Sequence, residues 1–149
     1  MTIGPATDAD REWCARLMAS TDPWITLGRS YEHCLARCRQ PEFLLHVIRI
    51  SERPHGFVLI HPTGLAGSPY IATIAMAPES RGQGLGAALL DFAEQHFPEA
   101  RHIFLCVSSF NVAARRLYER RGYSQVGELK DYVIAGASEI LMHKRLRAT

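Results

Sequence analysis

No apolar run in this chain approaches the ~20 residues that a membrane-spanning helix requires, so no membrane partner is expected. Nor does charge of one sign dominate: 17 basic and 15 acidic residues leave a net charge of +2 with the histidines neutral. That balance argues against a nucleic-acid footprint, which calls for a basic patch or stripe. Cysteine is scarce. The four thiols are Cys14, Cys34, Cys38 and Cys106, and with no signal peptide ahead of them they are expected reduced, in the cytoplasm. Cys34 and Cys38 stand four apart, but no further His or Cys pair completes a familiar metal spacing, so no metal is expected. Repeats, linkers and low-complexity segments are also lacking, and residues 1–149 read as one domain.

What the chain does contain is one highly punctuated stretch, from Ile71 to His96. Ile71 to Met76 is an apolar, partly β-branched run that halts at Pro78, as a buried strand does. Large apolar residues then recur at Leu85, Leu89 and Phe92, the spacing of a helix face. Between them lie Arg81, Gly82, Gln83, Gly84, Leu85 and Gly86. Glycines here let backbone N–H groups approach an anion, the helix dipole adds positive potential, and Arg81 brings a full charge. The alternative is that the glycines serve only tight packing. Two other phosphate motifs fail on spacing. A dinucleotide fingerprint would place its last glycine one residue later, and a P-loop would put Lys and Ser or Thr where Ala87 and Ala88 stand.

The stretch resembles the acyl-CoA-binding motif of the GNAT N-acetyltransferase superfamily, with Arg81, Gly84 and Gly86 in the motif places and Pro78 ahead of them. A second stretch, Asn111 to Tyr123, is similar to the same family's Asn, Ala, Leu-Tyr, Gly-Tyr pattern through Asn111, Ala114, Leu117, Tyr118, Gly122 and Tyr123. A Pro23-Trp24 pair is weakly similar to the ribosomal-protein N-terminal acetyltransferase branch.

The remaining segments suit that resemblance. Ile3 marks a short first strand; Thr7 or Asp8 can cap a helix containing Trp13, Leu17 and Met18; and Ser30 to Arg39 form a second helix. Phe43–Ile50, Gly56–His61 and Tyr70–Met76 read as strands, with a loop at 64–69. His102–Val107 is a further strand, parallel to Ile71–Met76 through a right-handed crossover. Asn111 caps the next helix, Gly122 suits its end, and Tyr123–Asp131 with Ser138–Leu146 close the fold as an antiparallel pair. The expected class is α/β (α+β): a mixed, mostly antiparallel sheet of six to seven strands with about four helices. By the resemblance, its central parallel pair splays to admit acyl-CoA.

The resemblance further implies an N-acetyltransferase that moves an acetyl group from acetyl-CoA to a primary amine by direct attack. The acceptor would be a small amine or a peptide N-terminus, and a homodimer stays open. The backbone of Ile74, Ala75 and Met76 would meet pantetheine, and Arg81, Gly82, Gln83, Gly84, Leu85, Gly86 and Ala87 the pyrophosphate. Asn111 would bond the CoA arm, the Met76 N–H would serve the oxyanion, and Tyr118 would protonate the thiolate while itself contacting the cofactor. Trp24, Tyr31 and Tyr132 would stand on the acceptor side, with a core anchor packing the helix pair as the alternative for Trp24. The base is left open. Where the related branch tends to carry Glu, this chain has Cys106; the preceding parallel strand offers only Tyr70 and Thr73; and Glu32, His33, Asp131, Tyr132 or an ordered water remain. A non-catalytic acyl-CoA sensor of the same fold is the alternative reading.

Overall fold

The computed structural model describes residues 1–148. The elements run β1 (Thr2–Pro5), α1 (Asp8–Ala19), α2 (Tyr31–Cys38), β2 (Leu44–Ile50), β3 (Arg53–Leu65) and β4 (Ser68–Met76). A short 3-10 turn (Pro78–Ser80), α3 (Leu85–Gln95), β5 (His102–Ser108), α4 (Val112–Arg120), β6 (Ser124–Lys130) and β7 (Ser138–Arg145) follow. One seven-stranded sheet has the order β1-β2-β3-β4-β5-β7-β6. Every neighbouring pair is antiparallel except β4 and β5. The mixed sheet with four α-helices is the expected class.

Strand alternation divides the core into two layers. Phe57 and Leu59 turn toward α1 and α2, packing with Cys14, Met18 and Val47. Val58 and Ile60 turn the other way, toward Leu89 and Leu90 of α3 and Ile103 and Leu105 of β5. Each such fully buried side chain contributes roughly 1.5–3 kcal/mol of apolar transfer free energy. Both layers meet along β3, which holds the sheet between the helix pairs.

Helix entry follows the local chemistry. The Thr7 side chain accepts from the Asp10 N–H while Asp10 accepts from the Thr7 N–H, a complete capping box. Ser30 and Asn111 cap α2 and α4 with single side-chain bonds, accepting from the His33 and Ala114 N–H groups. All four cysteines are free.

Two local expectations require correction. The strand expected over Gly56–His61 extends from Arg53 to Leu65, because Pro62 falls in a register irregularity between His61 and Leu65, where no ladder N–H is required of it. Consequently the loop expected at 64–69 is a two-residue turn: Leu65 pairs with Ser68, and Ala66 and Gly67 both take positive φ, 50° and 79°.

Candidate active site

β4 and β5 are paired only at Tyr70–Phe104 and Ile71–Leu105. Beyond those pairs the two strands part, leaving Ala72–Met76 without a ladder partner on the β5 side. A cavity of about 560 Å³ lies at this gap. Ala72, Thr73 and Ile74 of β4, Cys106 and Ser108 of β5, and Asn111 and Tyr118 around α4 form its inner wall. Trp24 from the α1–α2 connection and Tyr132 from the β6–β7 connection form its outer wall.

The glycine turn lies apart from this cavity. It begins behind an anchored lead-in: Ser80 is buried, its hydroxyl is 2.7 Å from Nδ1 of His55, and the Ala77 N–H donates to the His55 carbonyl at 2.9 Å. Residues 81–84 are then exposed. Gly82 and Gly84 take φ of 77° and 78°, and a Cβ on either would meet no atom within 4 Å, so packing does not require them. Gly86 differs. A Cβ there would fall 2.9 Å from both Met76 Cε and Leu117 Cδ2, so this glycine lets α3 dock against β4 and α4. Whereas side chains cap α1, α2 and α4, none caps α3, and its first-turn N–H groups remain available to an anion. Open N–H groups, space beside Gly82 and Gly84, and the adjacent strand gap together fit a diphosphate with an extended arm.

Tyr118 is 5% exposed and lines the cavity, and among the described residues its hydroxyl makes no hydrogen bond. Its ring meets Tyr123 edge-on at 6.2 Å, which fixes its direction from α4. Burial raises its pKa above the ordinary phenol value, so it stays protonated at any physiological pH. Asn111 caps α4 through the Ala114 N–H at 3.4 Å, a long bond that leaves its amide group at the cavity edge. Four arginines lie on α4 or at its end: Arg115 bonds Gln125 and pairs with Glu119, Arg121 pairs with Asp91, and Arg116 and Arg120 are exposed.

The cavity brings together Ile74, Asn111, Tyr118, Trp24 and Tyr132, but not Tyr31, which packs into the α1–α2 cluster. Of the groups considered as bases, His33 and Tyr132 line the cavity, while Glu32 and Asp131 do not. The His33 pKa is lowered by burial and by the charges of Arg29 and Arg37. Burial pushes the Cys106 thiol up; Tyr70 partly offsets this and Glu139 reinforces it, so Cys106 is neutral at pH 7. Burial likewise raises the Tyr70 phenol, with Cys106 adding to the effect.

Glu139 is the group that sequence reasoning did not reach. β7 lies between β5 and β6, placing Glu139 opposite Ser108, and the Ser108 hydroxyl donates to its Oε2 at 2.8 Å. A carboxylate therefore enters the cavity from β7, one strand away from Cys106 of β5. No local pattern marks it, because it depends on which strand inserts beside β5.

The model of the Acetyltransferase (GNAT) family matches residues 10–123. The chain is 38% identical over 82 residues to an uncharacterised N-acetyltransferase of Methanocaldococcus jannaschii, covering 53% of each protein, so the match spans about half the length of that relative. The structure is similar to the ribosomal-protein-S18-alanine N-acetyltransferase of Escherichia coli, with TM-score 0.77, 19% identity, and 99% of this chain and 95% of that one covered. It is also similar to an aminoglycoside 6'-N-acetyltransferase complexed with coenzyme A, with TM-score 0.80, 14% identity, and 100% and 99% covered. These two likenesses establish the fold, and the family match covers most of the sequence. The chain belongs to the GNAT family of acetyltransferases.

Proposed function

We propose that this protein is an acetyl-CoA-dependent N-acetyltransferase that acts on a primary amine by direct attack, with Tyr118 as general acid. The observation that carries this reading is the placement of an unpaired, buried phenol in a cavity that opens onto the gap between β4 and β5. A module that only bound the thioester would have no use for a proton donor there.

In this reading the N–H groups from Gly82 to Ala87, assisted by Arg81, hold the diphosphate. The backbone of Ile74, Ala75 and Met76 pairs with the extended arm much as a neighbouring strand would, and Asn111 steadies that arm with its amide. The Met76 N–H donates to the oxygen that gains charge as the amine nitrogen bonds to the acyl carbon. When the carbon–sulfur bond breaks, Tyr118 gives its phenolic proton to the departing thiolate. A neutral amine nitrogen loses one proton in becoming an amide, and that proton, passing to the phenolate, restores Tyr118, so the proton count balances. Trp24 and Tyr132 flank the acceptor, with Tyr31 supporting the helix behind them.

The test combines binding with turnover. Acetyl-CoA should raise the melting temperature, since a ligand selective for the folded state stabilises it. It should also release thiol when amines are supplied. Tyr118→Phe should keep the thermal shift and lose at least about tenfold in kcat, at the low end of general-acid effects. Thermal stabilisation with no thiol release against amino acids, peptides, polyamines and aminoglycosides would replace this reading with that of an acyl-CoA sensor.

A further inference from the structure

The cavity is electrically divided. Glu139 is the one acidic side chain among its described lining residues, whereas Arg29 and Arg37 stand with His33 on the α2 side. The ion pairs of the described residues, from Arg39–Asp8 to Lys144–Glu94, include none of these three charges. Glu139 is held by Ser108, a neutral donor, so its negative charge is not cancelled within the protein. The Arg37 guanidinium lies 4.5 Å above the Phe43 ring, which orients it without neutralising it. The Arg29 N–H donates to the Trp24 carbonyl at 3.0 Å, tying that residue to the outer wall. Tyr70 lines the same cavity as Arg37 and Glu139.

Uncompensated charges of both signs facing one cavity make it complementary to a ligand with the opposite arrangement. We propose, resting on the acetyl-transfer reading above, that the acceptor is a primary amine that also carries an anionic group. Its nitrogen is received at Glu139, and its carboxylate or equivalent anion at Arg29 and Arg37. The diphosphate does not account for these arginines, because the glycine turn and Arg81 are not part of the cavity wall. A polycation would meet two guanidinium groups with only one carboxylate to balance them. Free amino acids, ω-amino carboxylates and peptides with an acid group close to the N-terminus satisfy both ends.

The experiment compares three matched series of graded chain length: ω-amino carboxylates, alkylamines and diamines, each assayed by thiol release from acetyl-CoA. The amino carboxylates should exceed the matched alkylamines and diamines in kcat/KM by at least about tenfold, the effect of one charge-assisted hydrogen bond. Glu139→Gln should lower kcat/KM for every amine. Arg37→Gln and Arg29→Gln should raise KM for amino carboxylates about tenfold more than for alkylamines, with kcat changing little. An unchanged thermal shift with acetyl-CoA would establish that each variant is folded. Equal or better use of diamines, or equal KM effects of the arginine variants on both series, would overturn the charge assignment while leaving acetyl transfer in place. Thermal stabilisation without thiol release from any series would overturn the transferase reading and this inference together.

Discussion

The Ser80 hydroxyl stands 2.7 Å from Nδ1 of His55, joining the 3-10 turn ahead of the glycines to the β3 strand across the sheet. Ser80 is 1% exposed, so the anchor is sheltered from competing water. This bond sets where residues 81–84 emerge and thus where their N–H groups point. Ser80→Ala should weaken acetyl-CoA binding by about three- to tenfold, the effect of losing one neutral hydrogen bond in a pre-organised site. Calorimetric titration would measure it, and an unchanged Kd would remove the anchor from the binding machinery.

Gly84 and Gly86 are two residues apart, yet their substitution should fail in different ways. Gly84→Ala forces a side chain into φ of 78°, costing about 1–2 kcal/mol, and sets a methyl group where the diphosphate is proposed to lie. Acetyl-CoA affinity should fall at least tenfold. Gly86→Ala meets only the flexible ends of Met76 and Leu117 and gains roughly 1 kcal/mol of helix propensity, against about 1–3 kcal/mol for overpacking. Its melting temperature should fall by no more than a few degrees. Affinity measured beside thermal melts distinguishes the two, and similar affinity losses in both would refute the distinction.

Because burial raises the Tyr118 pKa above the ordinary phenol value, the acid form persists beyond the pH at which a free tyrosine titrates. The kcat profile should therefore have no descending alkaline limb assignable to Tyr118 up to about pH 10. A limb near pH 10 that vanished in Tyr118→Phe would mean that the phenol is solvated during turnover.

The local grammar was readable because each signal is completed within a few residues. Thr7 with Asp10, Asn111 with Ala114, and Gly122 at φ of 96° after α4 form caps and stops from neighbours in sequence. The strand, turn and helix from Ile71 to His96 were legible for the same reason. Long-range register was not. Glu139 enters the cavity only because β7 inserts between β5 and β6, and nothing near Ser138 or Ile140 encodes that choice. Pro62 stands inside β3 because a ladder irregularity, invisible in composition, accommodates it there. The three glycines looked equivalent in sequence, and only their surroundings separate two that are open to solvent from one pressed against Met76.

His46 ties stability to pH. It is 9% exposed on β2, its Nδ1 has no hydrogen-bond partner, and its ring packs 4.8 Å from Phe92 and 5.2 Å from His96. Burial, then the nearby His96, holds its pKa below the ordinary value of 6.5. In the unfolded chain it takes a proton near pH 6.5, while in the folded chain it resists, so the unfolded state binds more protons across that interval. Stability should accordingly be full above about pH 7.5 and fall as the pH drops through 6.5 toward the folded pKa. His46→Phe keeps an aromatic ring against Phe92 and removes the titration. Its loss of melting temperature between pH 7.5 and 5 should be smaller than that of the unmodified protein by a few degrees, at about 2–4 °C per kcal/mol for a chain of this size. His33 and His143 also have lowered pKa values, so part of the slope should remain. Equal losses in the two proteins would transfer the acid sensitivity from this buried ring to those other histidines.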